Sequence, residues 1–312
     1  MNTESTQNPH ILVTGIHRSG TTFVGKMLSA APGTGYVQEP FNPDFGLEGI
    51  DAWYQYITEG MPQESYYADI VRKLISGQAR FKKRSGRKDG LLRKIGKKMF
   101  GSRDYLEYLA STRLPGSRRL ILKDPLASLS SEWFHRKFEM DVLILLRHPA
   151  AFITSTKRLG WDFDFSNLTG QTPLMEEYLK SILAPHDPAS MTPWQRGALL
   201  WQCIYSVLDV FEHRNSHMKM IRLEDISANP EEKFREIHKF MNLPFTEKSL
   251  NTIRESTGSD NPVKASDGQA HLLKRNSRKL TDVWKKNFDK ETLNDIRKLA
   301  GPMAEKYYGE DW

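Results

Sequence analysis

The chain has 312 residues, 27% of them charged and 38% hydrophobic, with a formal net charge of +7 and a pI near 9.3. That length supports one large domain or one domain with an embedded subdomain, and no apolar run approaches the roughly 18–20 residues of a membrane span. The polar start Met1–His10 carries no secretory pattern, and the lone Cys203 cannot close an internal disulfide, so a cytoplasmic protein is expected. The positive balance suits anionic ligands and decides nothing about the fold.

The first element is Ile11-Leu12-Val13, an apolar run read as a buried strand. A loop follows with Gly15, Arg18, Ser19, Gly20, Thr21 and Thr22, and then Phe23, Val24, Met27 and Leu28 recur at helical spacing. Strand, glycine-bearing loop and helix form an anion cradle, in which loop N–H groups and the helix dipole converge on a phosphate. The Gly15-x4-Gly20 spacing matches the start of the nucleotide-triphosphate loop, but Thr21 stands where its lysine belongs and the cation comes earlier, as Arg18. Tyr36–Pro43 reads as a short strand ending in a turn, with Glu39 at its carboxyl end. In an open parallel sheet that is where ligands sit, so Glu39 is either a general base or a surface ion-pair residue.

Asp51–Ile75 is read as helical. Residues 77–103 form a basic insert, densest over Arg80–Lys98. It is compatible with contact to an anionic acceptor or an acidic membrane surface, and equally with a solvated loop; it lacks a nucleic-acid fold motif, so no nucleic acid is expected. Leu120–Pro125 and Asp141–Pro149 are strands stopped by proline; their lack of alternation marks them as central, covered on both faces. The first ends in Lys123 and Asp124, the second in Arg147, and a helix carrying Ser155 follows the second.

Residues 160–193, rich in Asp, Asn, Gly and Pro, form a lid or acceptor-binding excursion with Trp161, Phe163 and Phe165. Trp194–Phe211 is a mostly apolar helix that buries Cys203. His217–Asp225 suggests a fifth strand, and Asn229-Pro230-Glu231-Glu232 a capped helix that stops at Leu243-Pro244. Ser256–Leu273 reads as a loop leading into the basic run Lys274–Lys279, and a last helix from about Lys290 is interrupted near Pro302.

The Arg18-Ser19-Gly20-Thr21-Thr22 loop, the Leu146-Arg147-His148-Pro149 strand end with Ser155 beyond it, and Leu223-Glu224-Asp225-Ile226 leading into Asn229–Glu232 together resemble the sulfotransferases that use 3′-phosphoadenosine 5′-phosphosulfate, PAPS. The resemblance implies an α/β, three-layer fold like that of the P-loop NTPases, with a central, mostly parallel sheet of about five strands, in a single domain over 1–312. It implies that Arg18, Ser19, Gly20, Thr21 and Thr22 hold the 5′-phosphosulfate and that Arg147 and Ser155 hold the 3′-phosphate. Arg275, Ser277 and Arg278, ahead of Trp284 and Lys285, are nominated for the late loop over the 3′-phosphate.

Members acting on small phenols use a histidine as base where this chain has Lys123-Asp124-Pro125; glycan- and protein-modifying members use a glutamate after the cradle, which Glu39 matches. Glu39 is therefore the expected base, with Asp124 in reserve and Lys123 contacting the sulfuryl group or orienting Glu39. The expected acceptor is a hydroxyl on a carbohydrate or another glycan- or lipid-linked molecule, with 3′,5′-bisphosphoadenosine (PAP) as product, no metal, and a cytoplasmic site open to membrane contact. The alternatives are a metal-dependent P-loop kinase or NTPase, with Asp124 on magnesium, and a non-enzymatic module binding anionic polymers through the insert.

Overall fold

The computed structural model describes residues 9–82, 103–113, 119–258 and 283–312. Five strands, β1 (Ile11–Gly15), β2 (Thr34–Gln38), β3 (Arg119–Lys123), β4 (Asp141–Leu146) and β5 (Met218–Arg222), form one sheet in the order β2-β3-β1-β4-β5. Every pairing is parallel, in the registers Val13↔Lys123, Gly15↔Leu145, Gln38↔Lys123 and Leu146↔Arg222. The carboxyl ends of all five strands therefore finish at one edge, with β1 in the middle. The chain's connections part on either side of β1, so its end is a topological switch point.

The apolar runs are continuous because both faces of the sheet are covered. Leu12, Leu120, Leu122, Val142, Ile144 and Leu146 face the larger core. That core is closed by α2 (Glu64–Ile75), α6 (Pro193–Arg214) and α10 (Lys290–Tyr308). Ile11, Val13, Ile121, Leu143 and Leu145 face the other, against α1 (Thr21–Leu28), α8 (Pro230–Phe240) and α9 (Glu247–Thr257). The period of two along each strand thus splits the strands between two cores. Among the described residues, further helices include α3 (Arg103–Arg113), α4 (Ser131–Phe138), α5 (Pro149–Arg158) and α7 (Leu223–Ala228). Cys203 is fully buried.

Several sequence expectations need correction. The helix read over Asp51–Ile75 exists only from Glu64. Tyr54 (φ 56°) and Gly60 (φ 79°) break the earlier part. Its backbone turns to side chains of the 160–193 excursion instead: Trp53 N donates to Asn167 (3.1 Å) and Tyr56 N to Gln171 (2.7 Å). The excursion itself is folded into helical turns between Ser166 and Leu183. Asn229 precedes α8 with Pro230 at its first position, yet its side chain makes no cap bond. α9, capped by Thr246 onto Ser249 N (3.2 Å), was not anticipated. The interruption near Pro302 is a kink at Gly301 (φ 64°) within α10.

Candidate active site

The cradle lies between the end of β1 and the start of α1. Gly20 is the residue before α1, with φ 96°, and a Cβ there would press on Leu223 Cδ1 at 2.7 Å. Glycine is required by both the left-handed backbone and the close approach of α7. Arg18 is also left-handed, at φ 69°. Such a conformation costs about 1 kcal/mol or more for a non-glycine residue, and persists only where its surroundings hold it. Here Arg147 Nη1 donates to the Arg18 carbonyl (2.8 Å), and Arg18 Nε donates to Ser155 Oγ (3.1 Å). Arg18 of the cradle thus meets Arg147 and Ser155, the pair nominated by resemblance, at one junction. Ser19 and Thr21 are buried and Thr22 partly so.

Long helix α6 braces this junction from beneath. Trp201 Nε1 donates to the Arg147 carbonyl (2.8 Å), and one turn later Tyr205 OH donates to the Leu145 carbonyl (2.7 Å). The next residue, His148, accepts from Ala150 N through Nδ1 (3.2 Å), which caps α5, and its ring stacks on Trp284 at 4.1 Å. Glu224 accepts from His148 N (3.0 Å) and from Tyr308 OH on the last helix (2.9 Å). Burial, then the cations Lys285, Arg147 and Arg222, push the His148 pKa down to about 3, so the ring is neutral. Burial raises the Glu224 carboxyl, with the His148 N–H and Arg147 among the groups opposing the rise.

On the other side of β1, the ends of β2 and β3 carry the carboxylates. Lys123, fully buried, pairs with Glu39 Oε1 at 2.5 Å. Its stem runs beside Gly25 of α1, where a Cβ would stand 3.2 Å from Lys123 Cβ. Glu39 is left-handed (φ 45°), and its second oxygen accepts from Asn42 Nδ2 at 2.9 Å. Asp124 is fully buried, and its two oxygens accept from Phe41 N (2.5 Å) and Leu126 N (2.9 Å). Burial, then the nearby Glu39 charge, push its pKa up to about 7 against those N–H groups. Asp124 thus ties the Phe41 turn and the start of the following helical turn to the end of β3.

Between the two sides stands His17, whose ring meets Trp53, Phe152 and the half-exposed Trp161. Its backbone N donates to Tyr54 OH (3.1 Å), and Nδ1 bonds the same hydroxyl. Burial and Arg18 push the His17 pKa down to about 3. Arg18 lies over Trp161, 5.7 Å from the ring centre. Trp161 therefore borders the site, whereas Phe165 is core.

Asn42, Tyr54 and Tyr308 were not singled out from sequence, and His148 and Glu224 stood in motifs that carry the resemblance but were given no role of their own. Asn42 stands three residues after Glu39 in a proline turn, a signal that was open to reading; Tyr308 joins only through tertiary packing. Arg275, Ser277 and Arg278 lie outside the described residues, as does the insert from residue 83 to 102. Of the insert's start, Lys82 donates to the Pro43 carbonyl (2.8 Å) and pairs with Asp51 (2.7 Å). No described helix is long and apolar enough to cross a membrane.

No curated protein matches the sequence significantly. Among solved structures, the sulfotransferase domain of the Synechococcus PCC 7002 olefin synthase is similar at 17% identity, covering 96% of each chain with a TM-score of 0.45. The sulfotransferase domain of the curacin biosynthetic pathway is similar at 15%, covering 94% of this chain and 98% of that one, with a TM-score of 0.44. Mouse sulfotransferase SULT7A1, complexed with PAP, is similar at 13%, covering 94% and 83%, with a TM-score of 0.45. A family model described as the sulfotransferase family matches residues 9–247, most of the chain and all five strands, which sets aside the kinase and the non-catalytic alternatives. The chain belongs to the sulfotransferase family.

Proposed function

We propose that the protein transfers the sulfuryl group of PAPS to a carbohydrate hydroxyl, with Glu39 as general base. The observation that carries this reading is the division of charge about β1. Arg18, Arg147 and Ser155 converge on one side, and the Glu39–Lys123 pair stands on the other. A donor with a 5′-phosphosulfate and a separate 3′-phosphate needs two anion sites, and a hydroxyl acceptor needs a base facing the sulfur. The guanidinium of Arg147 suits the 3′-phosphate together with Ser155, because its planar fork matches phosphate oxygens. The cradle N–H groups at the start of α1, with Arg18, take the 5′ end.

In the proposed step the acceptor oxygen attacks sulfur in line while Glu39 takes its proton. The S–O bond to the 5′-phosphate breaks and PAP leaves with the electron pair. Arg18 and the cradle N–H groups stabilise the charge that builds on the leaving phosphate, and Lys123 that on the sulfuryl oxygens. This inventory of cations supports a reaction without a metal. Half-exposed Trp161 beside Arg18 offers a flat apolar face for a sugar ring, which supports the carbohydrate acceptor and gives the 160–193 excursion its role. The reading takes 1–312 as one domain acting in the cytoplasm.

The test is transfer of labelled sulfate from PAPS to a panel of oligosaccharides, lipids and phenols in the presence of EDTA. The expected result is EDTA-resistant labelling of the oligosaccharides. Labelling of phenols alone would overturn the acceptor, and dependence on added magnesium would overturn the metal-free mechanism.

A further inference from the structure

Glu39 holds an unfavourable backbone conformation at the end of an edge strand, so something must keep it there. Pro40 follows it, which restricts the preceding residue and offers no N–H. The turn closes through Asn42 N to the Glu39 carbonyl (3.1 Å), and Glu39 N is anchored on the Lys123 carbonyl (2.8 Å). Asp124 then ties the turn to the neighbouring strands. One oxygen takes Phe41 N in the middle of the turn, its own N donates to the Val13 carbonyl of β1 (3.0 Å), and its carbonyl accepts from Thr14 Oγ1 (2.7 Å).

Asn42 is buried, at 5% exposure, and its amide has no spare end. Nδ2 donates to Glu39 Oε2 (2.9 Å) and Oδ1 accepts from Asp44 N (3.0 Å). The second bond fixes which end of the amide faces Glu39. The carboxylate is thus held at both oxygens, by Lys123 on one and Asn42 on the other.

We infer that Asn42 is a positioning residue for Glu39, acting with Asp124, which fixes the turn that carries both. Asn42 holds the carboxylate plane and favours its ionised form; Asp124 sets where that plane stands. The inference rests on Glu39 being the base only for its catalytic consequence, since the tuning of Glu39 is measurable by itself. Among the described residues, the charged and titratable groups around Glu39 include Lys123 at the end of β3 and Asp124 just after it, His17 from the cradle and Tyr54 from the following loop. Lys123 pairs with one oxygen of Glu39 and the Asn42 amide with the other, so losing that amide removes a donor to the ionised form and leaves the carboxylate less stabilised.

The experiment is a carbon-13 NMR titration of glutamate-labelled full-length protein, with Glu39→Gln assigning the resonance, alongside labelled-sulfate transfer to the oligosaccharide panel. Asn42→Ala is expected to raise the Glu39 pKa by half a unit or more. Asn42→Asp, which sets a like charge against it, is expected to raise it further. Transfer should fall about 10-fold in Asn42→Ala while PAP affinity stays within twofold. Asp124→Asn keeps the shape but can accept at one oxygen only. It should release the Phe41 amide, read as a lost downfield proton shift and faster hydrogen exchange. A Glu39 pKa within 0.2 units of wild type in both Asn42 variants would overturn the proposal, whatever Asp124→Asn does. Full transfer by Glu39→Gln would instead overturn the base assignment and leave the tuning of Glu39 by Asn42 to stand or fall on the titration.

Discussion

The two sides of β1 are built by different means. On the β2–β3 side, Glu39, Asn42, Lys123 and Asp124 come from two adjacent strand ends and their immediate turns. On the β4–β5 side, Arg147, His148 and Glu224 are held by α6 and by Tyr308 and Trp284 near the end of the chain. The first side is a local device, in which strain at Glu39 is contained within one turn. The second is assembled over long range, and its order depends on the last helix being docked. The contrast suits their proposed tasks. A base needs fixed geometry at one atom, whereas a phosphate site needs cations held against their own burial.

The contrast is open to attack at each side, starting with the largest effect. Arg147→Ala removes the fork proposed for the 3′-phosphate. Loss of charge-assisted bonds of about 1.5–3 kcal/mol predicts PAP binding weaker by roughly 10–150-fold in calorimetry, with the single-turnover rate at saturating donor little changed. If that rate collapsed while PAP affinity held, the two sides would not be separable. Tyr308→Phe cuts one bond of the Glu224 relay. It predicts a stability loss of about 1 kcal/mol by chemical denaturation and only a few-fold weaker PAP binding, with no change in the Glu39 titration.

A finer separation comes from pH. His148, with its pKa near 3 in the folded chain against about 6.5 in a free chain, is neutral when folded and charged when unfolded at pH 4–6. Its contribution is complete above pH 6.5 and is lost as pH falls toward 3. Asp124, raised to about 7, has the opposite sign: the folded state holds its proton longer, so stability is lost as pH rises from about 4 to 7. Between pH 4 and 6.5, His148→Asn should therefore flatten the rise of stability with pH by about 1.4 kcal/mol per unit, and Asp124→Asn should steepen it by a similar amount. Both are differences from wild type in denaturation midpoints. Shifts of the same sign would contradict the assigned burial of one of the two groups.

Much of the site was legible in the sequence. The cradle, Glu39 before its proline, and the strand-ending Lys123, Asp124 and Arg147 follow from periodicity and from proline and glycine placement. Ser155 was paired with Arg147 by resemblance, and the structure brings both to Arg18. The rest was hidden for physical reasons. Residues 51–63 look helical by apolar spacing, but the backbone N–H groups of Trp53 and Tyr56 are taken by Asn167 and Gln171, side chains more than a hundred residues away. Glu224 reads as part of the strand expected over His217–Asp225, but it lies in the first turn of α7, and only the docking of α10 shows that it binds Tyr308. Asp124 reads as a candidate base because its type and place suit one; its enclosure by Phe41 and Leu126 N–H groups is a tertiary fact.

The central claim is that proton removal belongs to the Glu39 side and 3′-phosphate holding to the Arg147 side. It is tested most directly by the single-turnover rate of sulfate transfer in Glu39→Gln at saturating PAPS, with PAP affinity measured on the same sample. General-base loss predicts a rate lower by about 10²–10⁴-fold and an affinity unchanged within twofold. A wild-type rate, or a loss of affinity that accounts for the whole deficit, would contradict it.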